Sequence, residues 1–103
     1  MKHMVKTAIA ALAIGVAATA VHAEGLKDAK DVKISVVVHG SASDPYWSVV
    51  KRGVDDAAAL TGAQVQYISP QVLDEVEHAR LIDAAAATQP DGIIVSIADA
   101  DAM

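Results

Sequence analysis

The 103-residue sequence contains no cysteine and no phenylalanine, and only 3% of its residues are aromatic. Without cysteine the chain can form no disulfide and offers no thiol for a lipid anchor. It also lacks the phosphate-binding loops G-x-G-x-x-G and G-x-x-x-x-G-K-[ST], and it shows no nucleophile paired with a base. These absences argue against an enzyme, so we predict no catalytic residue, no cofactor and no metal site.

Positive charge is scarce once the first 23 residues are set aside. The full sequence has 8 lysine and arginine residues against 13 aspartate and glutamate residues, a formal net charge of −5. Lys2 and Lys6 lie in that first segment and no acidic residue does, so the remaining chain carries −7. Because nucleic acid is recognised through basic surfaces, we predict no nucleic-acid partner.

The first 23 residues have the pattern of a secretory signal peptide. A lysine-containing start precedes an uncharged run over residues 7–20, and Val21-His22-Ala23 places small residues where signal peptidase reads them. The run is shorter than the roughly 20 apolar residues that a transmembrane helix needs. We predict cleavage after Ala23, with Ala20 as the weaker alternative, and export to the periplasm.

The remaining residues alternate apolar runs with helical patterns. Strand one is continuously apolar, which is typical of a strand covered on both faces, whereas polar residues alternate through strand two and indicate greater exposure. The predicted strands span residues 33–38, 63–68 and 93–97, and the predicted helices span residues 45–60 and 74–88. This β-α-β-α-β order, with a further helix beginning near residue 99, predicts an α/β fold with a parallel sheet.

Each predicted helix has one apolar face at helical spacing, which we expect to pack on the sheet. The two faces comprise Val50, Val54, Ala57 and Ala58 in the first helix, and Val76, Ala79, Ile82 and Ala86 in the second. His78 has Glu75 and Glu77 nearby, which predicts a solvated side chain. His39 ends strand one, where we expect a structural or peripheral role.

The segment after strand one combines a helix start with aromatic residues. Asp44 suits a helix N-cap, and Pro45 suits the first helical position because its missing N–H costs nothing there. Tyr46 and Trp47, the latter the only tryptophan, follow at once. In α/β folds, ligands bind outside the carboxyl ends of the strands. Flat rings near polar groups at that position suit a sugar, which has apolar faces and a rim of hydroxyls.

Two stretches of the sequence, residues 33–58 and residues 89–103, resemble a known family. The first holds strand one, the loop over residues 39–43, Asp-Pro-Tyr-Trp and Val-Lys-Arg-Gly-Val-Asp-Asp-Ala-Ala; the second reads Gln-Pro-Asp-Gly-Ile-Ile-Val-Ser-Ile-Ala-Asp-Ala-Asp-Ala-Met. They resemble the periplasmic sugar-binding proteins of ABC transporters, in the branch with the ribose- and galactose-binding proteins. The resemblance implies two hinged α/β lobes that close on one sugar, with residues 24–103 forming part of the N-terminal lobe.

The resemblance also implies the ligand-binding residues Ser43, Tyr46, Trp47 and Asp99. Ser43 and Tyr-Trp stand where ribose binders often have asparagine and Phe-Phe, so the identity of the sugar stays open. Two structural alternatives compete with these roles. The aromatic pair can pack under the loop as a staple for the helix, and Asp99 can be the N-cap of a third helix, a role for which Asp101 competes.

The expected function is therefore a monomeric receptor that hands a simple sugar or polyol to a membrane permease. A ligand sensor that docks on a chemoreceptor is the alternative that the sequence does not separate from it, and an exported α/β enzyme fragment is a further one. A cytoplasmic sugar-responsive repressor would carry a helix-turn-helix where the export signal stands. We also expect the chain to be the front part of a longer protein, with residues 24–103 alone poorly stable and weak in binding.

Overall fold

The computed structural model describes residues 25–102, so the predicted signal peptide lies outside the described residues. Residues 25–102 form three strands and two helices in the predicted order. They are β1 Lys33–Val37, α1 Pro45–Thr61, β2 Gln64–Ile68, α2 Glu75–Ala87 and β3 Gly92–Val95. Two single turns of 3₁₀ helix, Ala29–Asp31 and Ala100–Ala102, precede β1 and follow β3.

The three strands form one parallel sheet in the order β2-β1-β3. Val36 of β1 lies opposite Tyr67 on one side and Ile94 on the other. The first crossover runs from the central strand β1 to β2, and the second runs in the opposite direction from β2 across β1 to β3. Right-handed connections therefore place α1 and α2 on opposite faces of the sheet. The predicted parallel α/β fold is confirmed.

The core lies along the second half of β1. Val36, Val37 and Val38 are between 0% and 5% exposed, as expected for a strand covered on both faces. β2 is an edge strand whose glutamines are exposed and whose apolar residues are half-buried, as its alternation predicts. β3 forms the other edge, where Ile94 and nearby Ile97 are each 56% exposed.

Helix α1 is capped at both ends by the residues that the sequence indicated. The Asp44 carboxylate accepts from the Tyr46 N–H at 2.9 Å, and Pro45 occupies the first turn. Gly62 adopts the left-handed conformation at φ 79°, and its N–H donates to the Ala58 carbonyl at 2.8 Å. These caps fix where helix α1 begins and ends.

The apolar side of α1 faces the sheet across an open groove of about 210 Å³. The predicted face is thus oriented correctly, although α1 buries no residue completely. The groove is lined by Ile34, Val36, Val54, Ala57, Ala58, Thr61, Ala63, Val65 and Ile94.

The buried face of helix α2 is rotated from the predicted one, so that Ala79 and Ile82 are half-buried while Val76 and Ala86 lie outside it. Its buried residues are His78 and Ala85, which are seven positions apart and lie on one side of the helix. Val76 is 63% exposed and Ala86 is exposed as well. His78 is 1% exposed, so the prediction of a solvated side chain was wrong. The prediction counted His78 as polar and placed it on the solvent side of the helix. In the structure its ring is on the side of α2 that packs against the sheet and is buried there.

Within residues 25–102, no helix is both long enough and apolar enough to cross a bilayer.

Candidate functional site at the carboxyl ends of β1 and β3

The candidate site lies where β1 and β3 end and α1 begins. His39 follows β1, Ser96 follows β3, and Trp47 lies in the first turn of α1. Parallel strands bring their carboxyl ends to one edge of the sheet, where ligands of such folds bind. We call the cluster of His39, Ser96 and Trp47, with the neighbouring Tyr46, the mouth.

A serine joins the two strand ends. The Ser96 Oγ accepts a hydrogen bond from the His39 backbone N–H at 2.8 Å, and it also lies 2.8 Å from the ring Nδ1 of His39. The Ser96 N–H donates to the Val37 carbonyl at 3.1 Å. These contacts fix both the backbone and the ring of His39.

Trp47 packs on the loop that follows β1. A Cβ atom at Gly40 would overlap the Trp47 indole, so the ring lies directly on the Gly40 backbone. The indole also meets His39 edge-on with ring centroids 4.9 Å apart, and Tyr46 with centroids 5.1 Å apart. Trp47 is half-buried and therefore does staple the helix to the loop, while part of the ring stays accessible.

Tyr46 contrasts with its neighbour because it is 67% exposed. Exposed aromatic rings bury large apolar areas when a ligand covers them. Within the mouth, Tyr46 is thus the ring with the most surface left to cover.

Loop serines shape one side of the mouth. The Ser41 hydroxyl donates to the Gln71 carbonyl at 2.8 Å and lies 2.9 Å from the Ser43 hydroxyl. The Ala42 N–H donates to the Pro70 carbonyl at 3.1 Å. The loop is therefore tied to the segment after β2, and Ser43 is left exposed at its rim.

Asp99 follows β3 and caps the last 3₁₀ turn. Its Oδ1 accepts from the Asp101 N–H at 2.9 Å, which is the capping role that we had weighed against ligand contact. The carboxylate is exposed, and one bond leaves most of its accepting capacity unused. No hydrogen bond within residues 25–102 joins Asp99 to the rest of the mouth, and the four predicted contacts at Ser43, Tyr46, Trp47 and Asp99 stay predictions.

Buried polar atoms that the sequence did not predict lie near the mouth. The His78 ring centroid is 6.1 Å from that of His39. Among the described residues, both His78 nitrogens and the Glu75 Oε2 are buried without a hydrogen-bond partner. The seven-residue spacing of His78 and Ala85 is the sequence signal that could have found His78, had histidine been allowed a core position.

A small cavity of about 170 Å³ lies on the outer side of Trp47, between α1 and the end of β2. The Tyr67 hydroxyl at its wall donates to the Trp47 carbonyl at 3.3 Å. Burial raises the pKa of the Tyr67 phenol above 10.0, and the nearby Lys51 ammonium partly opposes that rise. The cavity is lined by Ala42, Trp47, Ser48, Lys51, Tyr67 and Ser69.

No set of three histidine or acidic side chains within residues 25–102 is arranged to hold a metal ion. The chemistry that the mouth offers is stacking on aromatic rings and hydrogen bonding from hydroxyl, imidazole and carboxylate groups, which is the chemistry of small-molecule recognition.

Comparison with known proteins assigns the fold to a family. A solved structure of the periplasmic sugar binding protein of an ABC sugar transporter from Legionella pneumophila matches with a TM-score of 0.64 and 32% sequence identity. The match covers 69% of this chain and 26% of that one, so the chain spans about a quarter of that protein's length. No curated protein matches. The family model described as periplasmic binding protein domain matches residues 34–103. The resemblance read from the sequence is thus confirmed, and the chain belongs to the periplasmic binding protein domain family.

Proposed function

We propose that this chain is part of the periplasmic substrate-binding component of an ABC transporter, which captures a simple sugar or polyol and delivers it to a membrane permease. The observation that carries the proposal is the 32% identity and TM-score of 0.64 with the periplasmic sugar binding protein from Legionella pneumophila. That likeness covers 69% of this chain, and the family model spans residues 34–103, which include the residues of the mouth.

The chemistry of the mouth supports a carbohydrate ligand. The 67% exposed Tyr46 ring and the accessible part of Trp47 suit the apolar face of a sugar. Ser43 and Asp99 add exposed hydroxyl and carboxylate groups for the hydroxyl rim. A carboxylate that accepts sugar hydroxyls forms charge-assisted bonds, which are about twice as strong as neutral ones.

In this proposal the protein is exported and cleaved after Ala23, and acts as a monomer in the periplasm. A second lobe closes over the mouth and encloses the ligand, because one wall of a cleft leaves a ligand largely in water. N-terminal sequencing of the exported protein tests the leader: a start at Glu24 is expected, and a soluble protein that keeps Met1 would contradict export.

Calorimetric titration of the full-length protein tests the function. The panel is D-ribose, D-xylose, D-galactose, D-glucose and myo-inositol, with free amino acids as the control class. We expect one sugar or polyol to bind saturably and to raise the melting temperature, because a ligand at 100 times its Kd stabilises the folded state by about 2.7 kcal/mol. Binding of amino acids alone would overturn the proposal.

A binding protein returns its ligand unaltered. We therefore expect the proton NMR spectrum of the bound sugar, recovered after prolonged incubation, to match that of the starting material. Conversion of the sugar would favour the exported enzyme instead.

A further inference from the structure

We propose that His39 is itself a ligand-contacting residue, whose ring Nε2–H donates a hydrogen bond to an oxygen of the bound sugar or polyol. The inference rests on the proposed function of the mouth. It goes beyond the contacts at Ser43, Tyr46, Trp47 and Asp99, since it adds an imidazole N–H donor to the hydroxyl, indole and carboxylate groups of those side chains.

The contacts of Ser96 favour one tautomer of the His39 ring. The Ser96 Oγ already accepts from the His39 backbone N–H at 2.8 Å. Its own proton needs an acceptor, and within residues 25–102 the atom placed to accept is the His39 Nδ1, also 2.8 Å away. An Nδ1 that accepts leaves the proton of the neutral ring on Nε2, because the hydrogen bond at one nitrogen decides which nitrogen carries the proton.

The position of Nε2 differs sharply from that of the neighbouring histidine. Both nitrogens of His78 are buried without a partner, but the His39 Nε2 is not among the buried unpartnered atoms of residues 25–102. The hydrogen bond of the His39 ring within that range is made by Nδ1. The Nε2–H of this half-buried ring is therefore a donor that reaches the surface of the mouth and has no hydrogen-bond partner among residues 25–102.

The surroundings hold the ring still. Trp47 meets it edge-on at 4.9 Å between centroids, and His78 meets it edge-on at 6.1 Å. The Ser96 hydroxyl holds the ring through a hydrogen bond at Nδ1. A donor fixed in this way loses little conformational freedom when it binds, which favours affinity and selects for ligand geometry.

A donor also complements the acidic group of the same edge. Sugar hydroxyls both donate and accept, and a carboxylate such as that of Asp99 satisfies only their donating side. The His39 Nε2–H supplies the other half of the pattern by donating to a hydroxyl or ring oxygen. A ligand lacking an oxygen acceptor at that point would leave the imidazole N–H buried and unpaired, at a cost that rejects it.

The tautomer is testable without any ligand. Long-range ¹H–¹⁵N NMR correlation spectra of the full-length protein, assigned with His39→Gln, report which ring nitrogen carries the proton. We expect protonated Nε2 and unprotonated Nδ1 in the neutral His39 ring, and we expect Ser96→Ala to lose that fixed pattern while Ser96→Thr keeps it. A ring with its proton on Nδ1 would overturn the proposal.

Affinity tests the contact itself, with the panel member that binds best to the wild-type protein as the probe. Gln places an amide donor near the position of Nε2, whereas Phe keeps an aromatic ring with no donor. We expect His39→Phe to weaken binding about fivefold or more and His39→Gln to stay within about threefold of wild type, since one hydrogen bond is worth about 1 kcal/mol.

Equal affinity of His39→Phe and wild type would overturn the contact. Equal weakening by Phe and Gln, with melting temperatures unchanged, would also overturn it, because the donor would then not be what matters. Both results leave the proposed function standing, whereas a wild-type protein that binds no member of the panel removes the function first.

Discussion

The two ends of the parallel sheet differ in how their polar groups are used. At the amino end, the Asp91 carboxylate accepts from the Lys27 ammonium at 2.5 Å and from the Lys33 N–H at 2.8 Å. The Gln64 amide there donates to the Lys30 carbonyl at 2.9 Å. These contacts join the segment before β1 to the starts of β2 and β3, so the polar groups of this end serve the fold.

At the carboxyl end, the polar and aromatic groups are held in place but keep hydrogen-bonding capacity and exposed surface. The His39 ring is fixed by Ser96 and Trp47, and its Nε2 makes no hydrogen bond within the described part of the chain, residues 25–102. Tyr46 is 67% exposed and Asp99 uses one capping bond. The difference between the two ends indicates which of them is suited to bind a ligand. A group that is ordered but has hydrogen-bonding capacity left over is pre-organised for a ligand.

Cavity size alone would favour the amino end of the sheet as the binding site, but the residues that line its cavity do not suit a sugar. The amino end has an open cavity of about 360 Å³, larger than the 170 Å³ beside Trp47. Its polar groups include Gln64, which is already bonded within the fold. The larger space carries no aromatic ring on which a sugar could stack; it is lined by Lys33, Ile34, Ser35, Gln64, Val65, Gln66, Thr88 and Pro90.

The largest effect is expected from Trp47→Ala at the carboxyl end. Loss of a central aromatic anchor costs about 2 kcal/mol or more, which is about thirtyfold in affinity. Because the indole also packs on Gly40 and His39, we expect the free energy of unfolding to fall as well, by about 1–3 kcal/mol. Titration calorimetry and melting curves on the full-length protein separate the two losses. An unchanged affinity per folded molecule would remove Trp47 from the site.

Two glycine substitutions test the packing of Trp47 on the loop after β1. Gly40→Ala puts a Cβ into the indole, so we expect a stability loss of about 1–3 kcal/mol and weaker sugar binding as the ring is displaced. Gly53→Ala is the matched control, since its Cβ meets nothing within 4 Å on α1, and it should stabilise the protein by about 0.5–1 kcal/mol. Chemical denaturation of both variants measures the difference. Equal stability of the two variants would mean that Trp47 does not lie on Gly40.

Asp99→Asn tests whether the exposed carboxylate is more than a cap. Asparagine caps helices about as well as aspartate, so the melting temperature should hold. Weaker acceptance of sugar hydroxyls should cost about 1–2 kcal/mol in binding free energy. Calorimetric titration reads the loss, and an affinity equal to that of wild type would leave Asp99 with its capping role alone.

The smallest effect is expected from Asp91→Asn at the amino end, and it should touch stability but not binding. The hydrogen bond from Lys27, followed by that from the Lys33 N–H, lowers the pKa of Asp91 below its ordinary 3.8. A lowered folded-state pKa gives stabilisation that is present above pH 3.8 and is lost as the pH falls through the folded-state value. We expect the variant to lose this part of the acid dependence in pH-resolved melting curves. A drop in sugar affinity would contradict the division between the two ends.

Local signals in the sequence were sufficient for the elements and their caps. Asp44, Pro45 and Gly62 act within a few residues of themselves, so their roles could be read from adjacent positions. The continuous apolar run of β1 likewise predicted its burial on both faces.

The contacts that organise the mouth could not be read in this way. His39 and Ser96 are 57 residues apart, and only the pairing of β1 with β3 brings them together. Burial of His78 depends on how α2 rotates over the sheet. Helical periodicity left this rotation open, because the apolar face that runs from Val76 to Ala86 was equally regular. Tertiary packing decided both, so the sequence could name candidate contacts but not the residues that hold them in place.

The central claim is that the carboxyl end of the sheet binds the ligand and the amino end does not. NMR chemical-shift mapping of the full-length protein with the sugar that it binds tests this directly. We predict large shifts at the Trp47 indole N–H, the His39 ring and the Ser96 and Asp99 amides, with the Lys27, Lys33 and Asp91 signals unmoved. Shifts centred on Lys33, Gln64 and Asp91, with the mouth unmoved, would contradict the account.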